Sequence, residues 1–278
     1  MATITASDVN KLRQMTGAGM MDCKNALVES DGDIEKAIDI LRKKGQKLAV
    51  KRADRDANQG IVLAKTTADK KFAAVIMLNC ETDFVAKNQE FIEYAHKVCD
   101  LAVATQPASL EALLAMSIDG RSISDGVTDL IGKTGEKMEL AHYEFIEAPL
   151  VVAYNHFGNR LAAILGLNKA DGEGIEEVGK HVAMQIAAMS PVAVDKDGVD
   201  SETIAREIEV GKEQARAEGK AEEMLEKIAL GKLNKFYKEN TLLNQEFIND
   251  SKISVREYLQ KADKDLTVNK FYRLQLGA

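Results

Sequence analysis

Two glycine stretches, four histidines and three cysteines are the first places to look for chemistry in this chain. Asp125-Gly126-Val127-Thr128-Asp129-Leu130-Ile131-Gly132-Lys133-Thr134 holds the Gly, Lys and Thr of a phosphate-gripping loop. Such a loop needs four residues between its glycines and a buried strand before it, so that successive amides converge on phosphate at a helix N-terminus. Here five residues separate Gly126 and Gly132, and no strand pattern precedes them. The stretch Gly172-Glu173-Gly174-Ile175-Glu176-Glu177-Val178-Gly179 has four residues after its second glycine where a dinucleotide fingerprint has two, and its carboxylates would repel a pyrophosphate. Neither is a nucleotide loop. His96, His142, His156 and His181 have neither metal-ligand spacing nor a nucleophile beside them. His96 and His181 fall on expected core helices and read as partly buried structural residues. Cys23, Cys80 and Cys99 form no CxxC pair and read as small buried hydrophobes in a reducing compartment. No catalytic constellation, metal site or cofactor loop emerges, which suits a protein that acts by binding.

The elements around these residues must then carry the function. A chain of 278 residues with 45% hydrophobic content can bury more than one core. A net charge of −7 speaks against a surface built to neutralise nucleic-acid phosphates. One local basic run, Arg42, Lys43, Lys44, Lys47, Lys51, Arg52 and Arg55, is the exception, and a solvated surface explains it as well as a ribosome contact does. The first residues, Met1-Ala2-Thr3-Ile4-Thr5-Ala6-Ser7-Asp8, show no cationic start or apolar leader, and no apolar run nears the ~20 residues of a membrane span. The expected location is the cytoplasm, with no membrane partner.

Helix start and stop signals predict three short helices at the N-terminus. Ser7 or Thr5 caps the first, which carries Val9, Leu12 and Met15; Thr16-Gly17-Ala18-Gly19 breaks it. The second runs from about Met20 to Glu29 with Cys23 and Leu27 inward. Asp33 caps the third, with Ile34, Ile38 and Leu41 on one face and Gly45 as its expected end. Residues 46–59 alternate in charge and read as a solvated helix or linker.

After Gly60 the pattern turns to β. Strands are expected at Ile61–Lys65, Phe72–Leu78 and Lys137–Glu147, and helices at about Asn88–Ala104, Ser109–Met116 and Asp125–Ile131. The order then restarts: Lys71-Phe72-Ala73-Ala74-Val75-Ile76-Met77-Leu78-Asn79 reads on Arg160-Leu161-Ala162-Ala163-Ile164-Leu165-Gly166-Leu167-Asn168, a constant 89 residues later. Each copy follows a strand, Ile61–Lys65 or Val151–Phe157, and precedes an apolar helix ending near Pro107 or Pro191. A capped helix from Ser254 and a strand from Leu266 to Leu276 complete the second copy. It is interrupted by a charged helical stretch with seams Ile204, Ile208, Ala215 and Ala221, Leu225, Ile228 about Gly219, the pattern of an antiparallel coiled-coil hairpin. The expected fold is α+β. A three-helix module and linker (1–55) is expected to precede two similar subdomains with small antiparallel sheets, set face to face (56–148; 149–198 with 241–278). The hairpin (199–240) is inserted in the second.

Two stretches carry a family resemblance: Leu12-Arg13 through Thr16-Gly17-Ala18-Gly19-Met20-Met21-Asp22-Cys23-Lys24-Asn25-Ala26-Leu27, and Asn79-Cys80-Glu81-Thr82-Asp83-Phe84-Val85-Ala86-Lys87-Asn88. In order and separation they resemble elongation factor Ts of the bacterial type, and the likeness extends over almost the whole chain, including Tyr154-Asn155-His156. The resemblance implies a ubiquitin-associated-like N-terminal module and a guanine nucleotide exchange factor for elongation factor Tu, the GTPase that delivers aminoacyl-tRNA. It implies no enzyme, no cofactor and no direct nucleotide binding. By the same likeness, Thr82, Asp83, Phe84 and Val85 intrude near the partner's magnesium and nucleotide. Leu12, Met20 and Met21 belong to the module's partner-binding surface, and His156 supports the contact. The residues alone leave another reading open: Phe84 and the methionines would be core, and Asp83 a helix cap. The sequence ends at Gly277-Ala278, where many relatives continue into a docking helix, so a different contact area is expected. An adaptor holding another protein through the module is the alternative function. A hydrolase or transferase has only the excluded glycine loops behind it.

Overall fold

Thr5 opens the first helix by a reciprocal cap: its hydroxyl accepts the Asp8 amide at 3.2 Å, and Asp8 Oδ2 accepts the Thr5 amide at 3.0 Å. In the computed structural model, which describes residues 3–277, α1 spans Ala6–Thr16, α2 Met20–Glu29 and α3 Ile34–Arg52. Met1, Ala2 and Ala278 lie outside the described residues. The module's core consists of Val9, Leu12, Ala18, Cys23, Ala26, Leu27 and Ala37. Met15, placed by spacing beside Val9 and Leu12, instead stands 55% exposed.

The third helix does not end at Gly45. It continues to Arg52, and Gly45 is buried where α3 crosses a later helix, α7 (Ile123–Thr134). A Cβ on Gly45 would lie 3.2 Å from the Thr128 carbonyl, and one on Gly132 would lie 3.3 Å from the Gly45 Cα. Glycine here serves backbone-to-backbone approach rather than helix termination. Its helix-interior cost of about 1 kcal/mol is offset by the packing that the approach permits, as Leu48 and Ala49 reach the first core. Of the stretch read as a solvated helix or linker, residues 46–52 are thus helix, and they fasten the module to the body.

The body begins with β1 (Gln59–Thr66) and β2 (Phe72–Cys80). It continues through α4 (Asp83–Ala86), α5 (Gln89–Thr105), α6 (Leu110–Ala115), a two-residue ribbon β3/β4 (Ser117–Ile118, Arg121–Ser122), α7 (Ile123–Thr134) and β5 (Met138–Glu147). The strands form an antiparallel sheet in the order β1-β2-β5. The glycine stretch excluded as a phosphate loop is helix α7. Its Gly126 leaves room for Tyr94, whose hydroxyl donates to the Ile123 carbonyl at 2.9 Å.

The second sheet repeats this plan with β6 (Leu150–Asn155), β7 (Leu161–Leu167), α8 (Ile175–Met189), the hairpin α9 (Ser201–Ala217) and α10 (Glu222–Asn240), the ribbon β8/β9 (Glu246–Phe247, Asp250–Ser254), α11 (Val255–Ala262) and β10 (Val268–Gln275). Its order is β10-β7-β6. The repeated segments are thus the central strands of two like sheets. Strand alternation sends Ala74, Ile76 and Leu78 to the first core, and Ala163, Leu165 and Leu167 to the second. The opposite faces meet: Ala73, Val75 and Met77 pack with Ala162 and Ile164 in one cluster between the sheets. Gly166 stands where the repeat has Met77, because a Cβ there would approach Ile146 and Ala148 to 2.8 Å. Asn155 stitches the two edges together, giving its amide to the Ala64 carbonyl at 2.8 Å and accepting the Ala64 amide at 2.7 Å.

In the hairpin, Gly211 packs against Ala229, and Ala215, Leu225 and Leu233 are buried. On α9 the buried seam residues are the small Gly211 and Ala215, with Ile204 and Ile208 only half-buried, and the helices approach closely at Gly211 and Ala229. Buried Gln245 donates to the carbonyls of Met189 at 3.3 Å and Glu239 at 3.0 Å, joining the ends of α8 and α10. No helix among the described residues is long and apolar enough to cross a membrane.

All three cysteines are free and buried. His96 and His181 are half-buried, and His181 Nδ1 shares a 2.6 Å hydrogen bond with the Tyr258 hydroxyl. Burial pushes the thiols of Cys80 and Cys99 from the ordinary 9.0 up to about 12. Because the neutral thiol is the form the fold favours, this contribution to stability is present below pH 9.0 and is lost as pH rises toward 12. Iodoacetamide at pH 8 is expected to leave Cys80 and Cys99 unmodified in the native chain while labelling them in guanidinium. Mass spectrometry showing fast native labelling of either would contradict this burial.

Candidate functional site

The segment leaving β2 is built to hold one aromatic ring in solvent. Thr82 caps α4: its hydroxyl accepts the Val85 amide at 3.4 Å, and Asn88 caps α5 by accepting the Glu90 amide at 2.9 Å. The single turn between the caps has an inward face, Val85 at 9% exposure and Ala86, packed on the first core. Its outward face is Phe84, 83% exposed. Glu136 grips Thr82 with both oxygens, accepting the amide at 3.0 Å and the hydroxyl at 2.7 Å. The Cys80 thiol donates to the Thr82 carbonyl at 3.2 Å. Asp83 accepts Lys87 Nζ at 2.7 Å, and that hydrogen bond, with the lysine's charge, holds its carboxyl below the usual carboxylate range. Phe84 is therefore displayed on a pre-ordered turn beside a carboxylate ionised at neutral pH, which lowers the entropy cost of inserting it into a partner.

Met20 and Met21 open α2 at 53% and 64% exposure. Leu12 does not join them on the surface. It is fully buried in the module's core, because its position on α1 faces α2 and α3. The 17–19 turn that leads into Met20 meets the start of α5 through Lys133. This lysine lies against Gly17 and bonds Glu90, in the first turn of α5.

His156 is exposed beyond the end of β6, with Nδ1 2.9 Å from the Tyr154 hydroxyl. The strand, expected to reach Phe157, stops at Asn155 because the chain turns there: the Asn159 amide donates to the His156 carbonyl at 3.0 Å, and Gly158 takes a φ of +83°. Phe157 at the tip is 97% exposed. The turn is fixed to β1 by the Val62 amide on the Asn159 carbonyl at 2.7 Å and by Arg160 on Gln59 at 2.6 Å. Gln59 is paired with Cys80, so this turn is anchored to the strand beside the one that leads into the Phe84 turn.

The family model for elongation factor Ts matches residues 81–278, beginning at the residue that opens the Phe84 turn. Full-length relatives match as well. The chain is 52% identical to elongation factor Ts of Amoebophilus asiaticus over 99% of both chains. It is 52% identical to that of Cytophaga hutchinsonii over 100% of both, and 50% identical to that of Christiangramia forsetii over 100% of both. The chain belongs to the elongation factor Ts family.

Within this elongation factor Ts fold, the residues singled out by sequence fall into two groups. Asp83, Phe84, Met20, Met21 and His156 form the exposed group; Thr82, half-buried at the turn's cap, and the buried Leu12 and Val85 form the supporting one. Sequence reasoning passed over Glu81 and Glu136, which hold the turn, and over Phe157. Glu81 lay inside the family motif and Phe157 beside a Gly158-Asn159 turn signal, but side-chain partners far along the chain leave no local trace. The basic run proved partly paired: Arg42 meets Asp39 at 3.4 Å, Lys44 meets Asp22, and Arg52 and Arg55 meet Glu81.

Proposed function

We propose that this member of the elongation factor Ts family is a guanine nucleotide exchange factor for elongation factor Tu, working in the cytoplasm without covalent chemistry or a cofactor. The reading rests on one observation above all: Phe84 stands 83% exposed on a turn fastened at both flanks, with ionised Asp83 next to it. Residues 1–55 form the docking module, with Met20 and Met21 as its contact; the two sheet units carry the wedge and His156; and the 199–240 hairpin is an inserted arm. Methionine suits the docking role because its flexible thioether adapts to a partner surface.

The exchange step is a matter of linkage. Insertion of Phe84 and the charge of Asp83 beside a metal-bound diphosphate favour the nucleotide-free form, so factor and nucleotide weaken each other's binding by the same factor. No group on this chain needs to touch the nucleotide. The test is release of fluorescent GDP from elongation factor Tu on addition of the chain. Acceleration that excess GDP suppresses by dissociating the complex is the expected result; an unchanged release rate would refute the proposal. A stable complex indifferent to GDP would point to the adaptor instead.

A further inference from the structure

The C-terminal end of α3, the exit of β2 and the start of β5 are closed into a ring of charged hydrogen bonds around one carboxylate. Glu81 Oε2 accepts Arg55 Nη1 at 2.9 Å, and its Oε1 lies 3.7 Å from Arg52 Nη1. The same Oε1 accepts the Lys137 amide at 2.6 Å, while Lys137 Nζ donates to the Ala53 carbonyl at 2.7 Å. Asn79 adds a further tie, its amide on the Ala57 carbonyl at 2.6 Å. The Glu81 side chain is only 16% exposed, so these contacts are shielded in part from water and salt.

Glu81 immediately precedes Thr82, the cap of the Phe84 turn. Of its arginine partners, Arg52 is the last residue of the helix that begins inside the N-terminal module, and Arg55 lies three residues beyond it. At 1.5 Å per residue, α3 spans roughly 28 Å, and Gly45 against Gly132 fixes its crossing angle at mid-length.

We propose that Glu81 is a positioning residue for exchange: it clamps α3 to the Phe84 turn, making the helix a strut that sets the wedge relative to the Met20–Met21 surface. This rests on the exchange reading above. A wedge and a dock held at fixed separation engage one partner without further ordering of the chain, whereas a loose joint would let the dock bind while the wedge sampled unproductive positions. The clamp therefore acts on the insertion step more than on the docking step.

The experiment measures GDP release from elongation factor Tu against concentration of the chain, for wild type, Glu81→Gln, Arg55→Gln and the double variant. Gln keeps an oxygen for the Lys137 amide, so the local backbone retains its acceptor. The expected result for Glu81→Gln is a plateau release rate lowered roughly threefold to thirtyfold, within the coupling range of contacting pairs. The half-saturating concentration is expected to stay within about twofold of wild type. The double variant should be no slower than the slower single variant. Amide hydrogen exchange should quicken across residues 82–88 in Glu81→Gln and stay unchanged at 20–21. A wild-type plateau in Glu81→Gln, additive single effects, or a parallel loss of plateau and affinity would each overturn the proposal. Should the wild-type chain fail to accelerate release at all, the exchange reading falls. The clamp is then judged on amide exchange alone, and unchanged protection across 82–88 overturns it.

Discussion

Phe84→Ala is expected to lower the maximal rate of GDP release by tenfold to a hundredfold while leaving the fold intact. The ring is 83% exposed in the free chain, so its removal takes nothing from the core. Exposed substitutions of this kind move stability by about 0.5 kcal/mol or less. In the complex the ring would be buried, and burying a Phe is worth about 1.5–3 kcal/mol, the stated factor in rate if that energy is realised at nucleotide release. Stopped-flow release of labelled GDP measures the effect, and a thermal melt of the free variant checks the fold. A rate within twofold of wild type would mean that Phe84 is not the wedge. Acceleration beyond a hundredfold in the wild type has to come from elsewhere, with Asp83 and the methionine dock the first places to look.

The second large effect separates core from contact in the N-terminal module. Leu12→Ala removes a fully buried side chain from a small core, and such truncations cost about 2–5 kcal/mol. The module is expected to lose its cooperative packing, with faster amide exchange through residues 6–29 and an earlier first phase in denaturant. Partner affinity would fall as a consequence. Met20→Ala with Met21→Ala should do the reverse, weakening partner binding while leaving amide exchange and the melting curve unchanged, because both side chains are more than half exposed. If Leu12→Ala left the module's protection unchanged yet reduced binding, Leu12 would be a contact residue and its burial irrelevant.

These two substitutions mark the limit of what spacing can reveal. Leu12 and Phe84 are both apolar residues within a family motif. Helical periodicity placed Leu12 inward, whereas the resemblance assigned it to the contact surface; burial favours the periodicity. For Phe84 the relation is reversed: its residue type suggests a core position, and the turn geometry leaves it in water. In a four-residue helix such as α4 there is room for one inward face, and Val85 and Ala86 occupy it. The local pattern could not decide which apolar residue takes that face, because the answer depends on where the first core lies.

Gly45 illustrates the same point in the backbone. Cationic residues followed by glycine form a sound local stop signal, but α7 approaches so closely that a Cβ at either crossing point would crowd the facing backbone, and the helix runs on. The 89-residue repeat was readable because a central strand buried on both faces has little choice of residue.

From its sequence alone this chain determined where most helices begin, through Thr5, Asp33, Asn88 and Ser254, and that two like strand pairs recur. Caps and periodicity act over a few residues, so they are written where they operate. Only the tertiary structure decided that Phe84 and Phe157 face water and that Glu81 ties α3 to the turn. Burial and ion pairing depend on groups brought together from distant parts of the chain, and that meeting exists only once both sheets and the long third helix have packed.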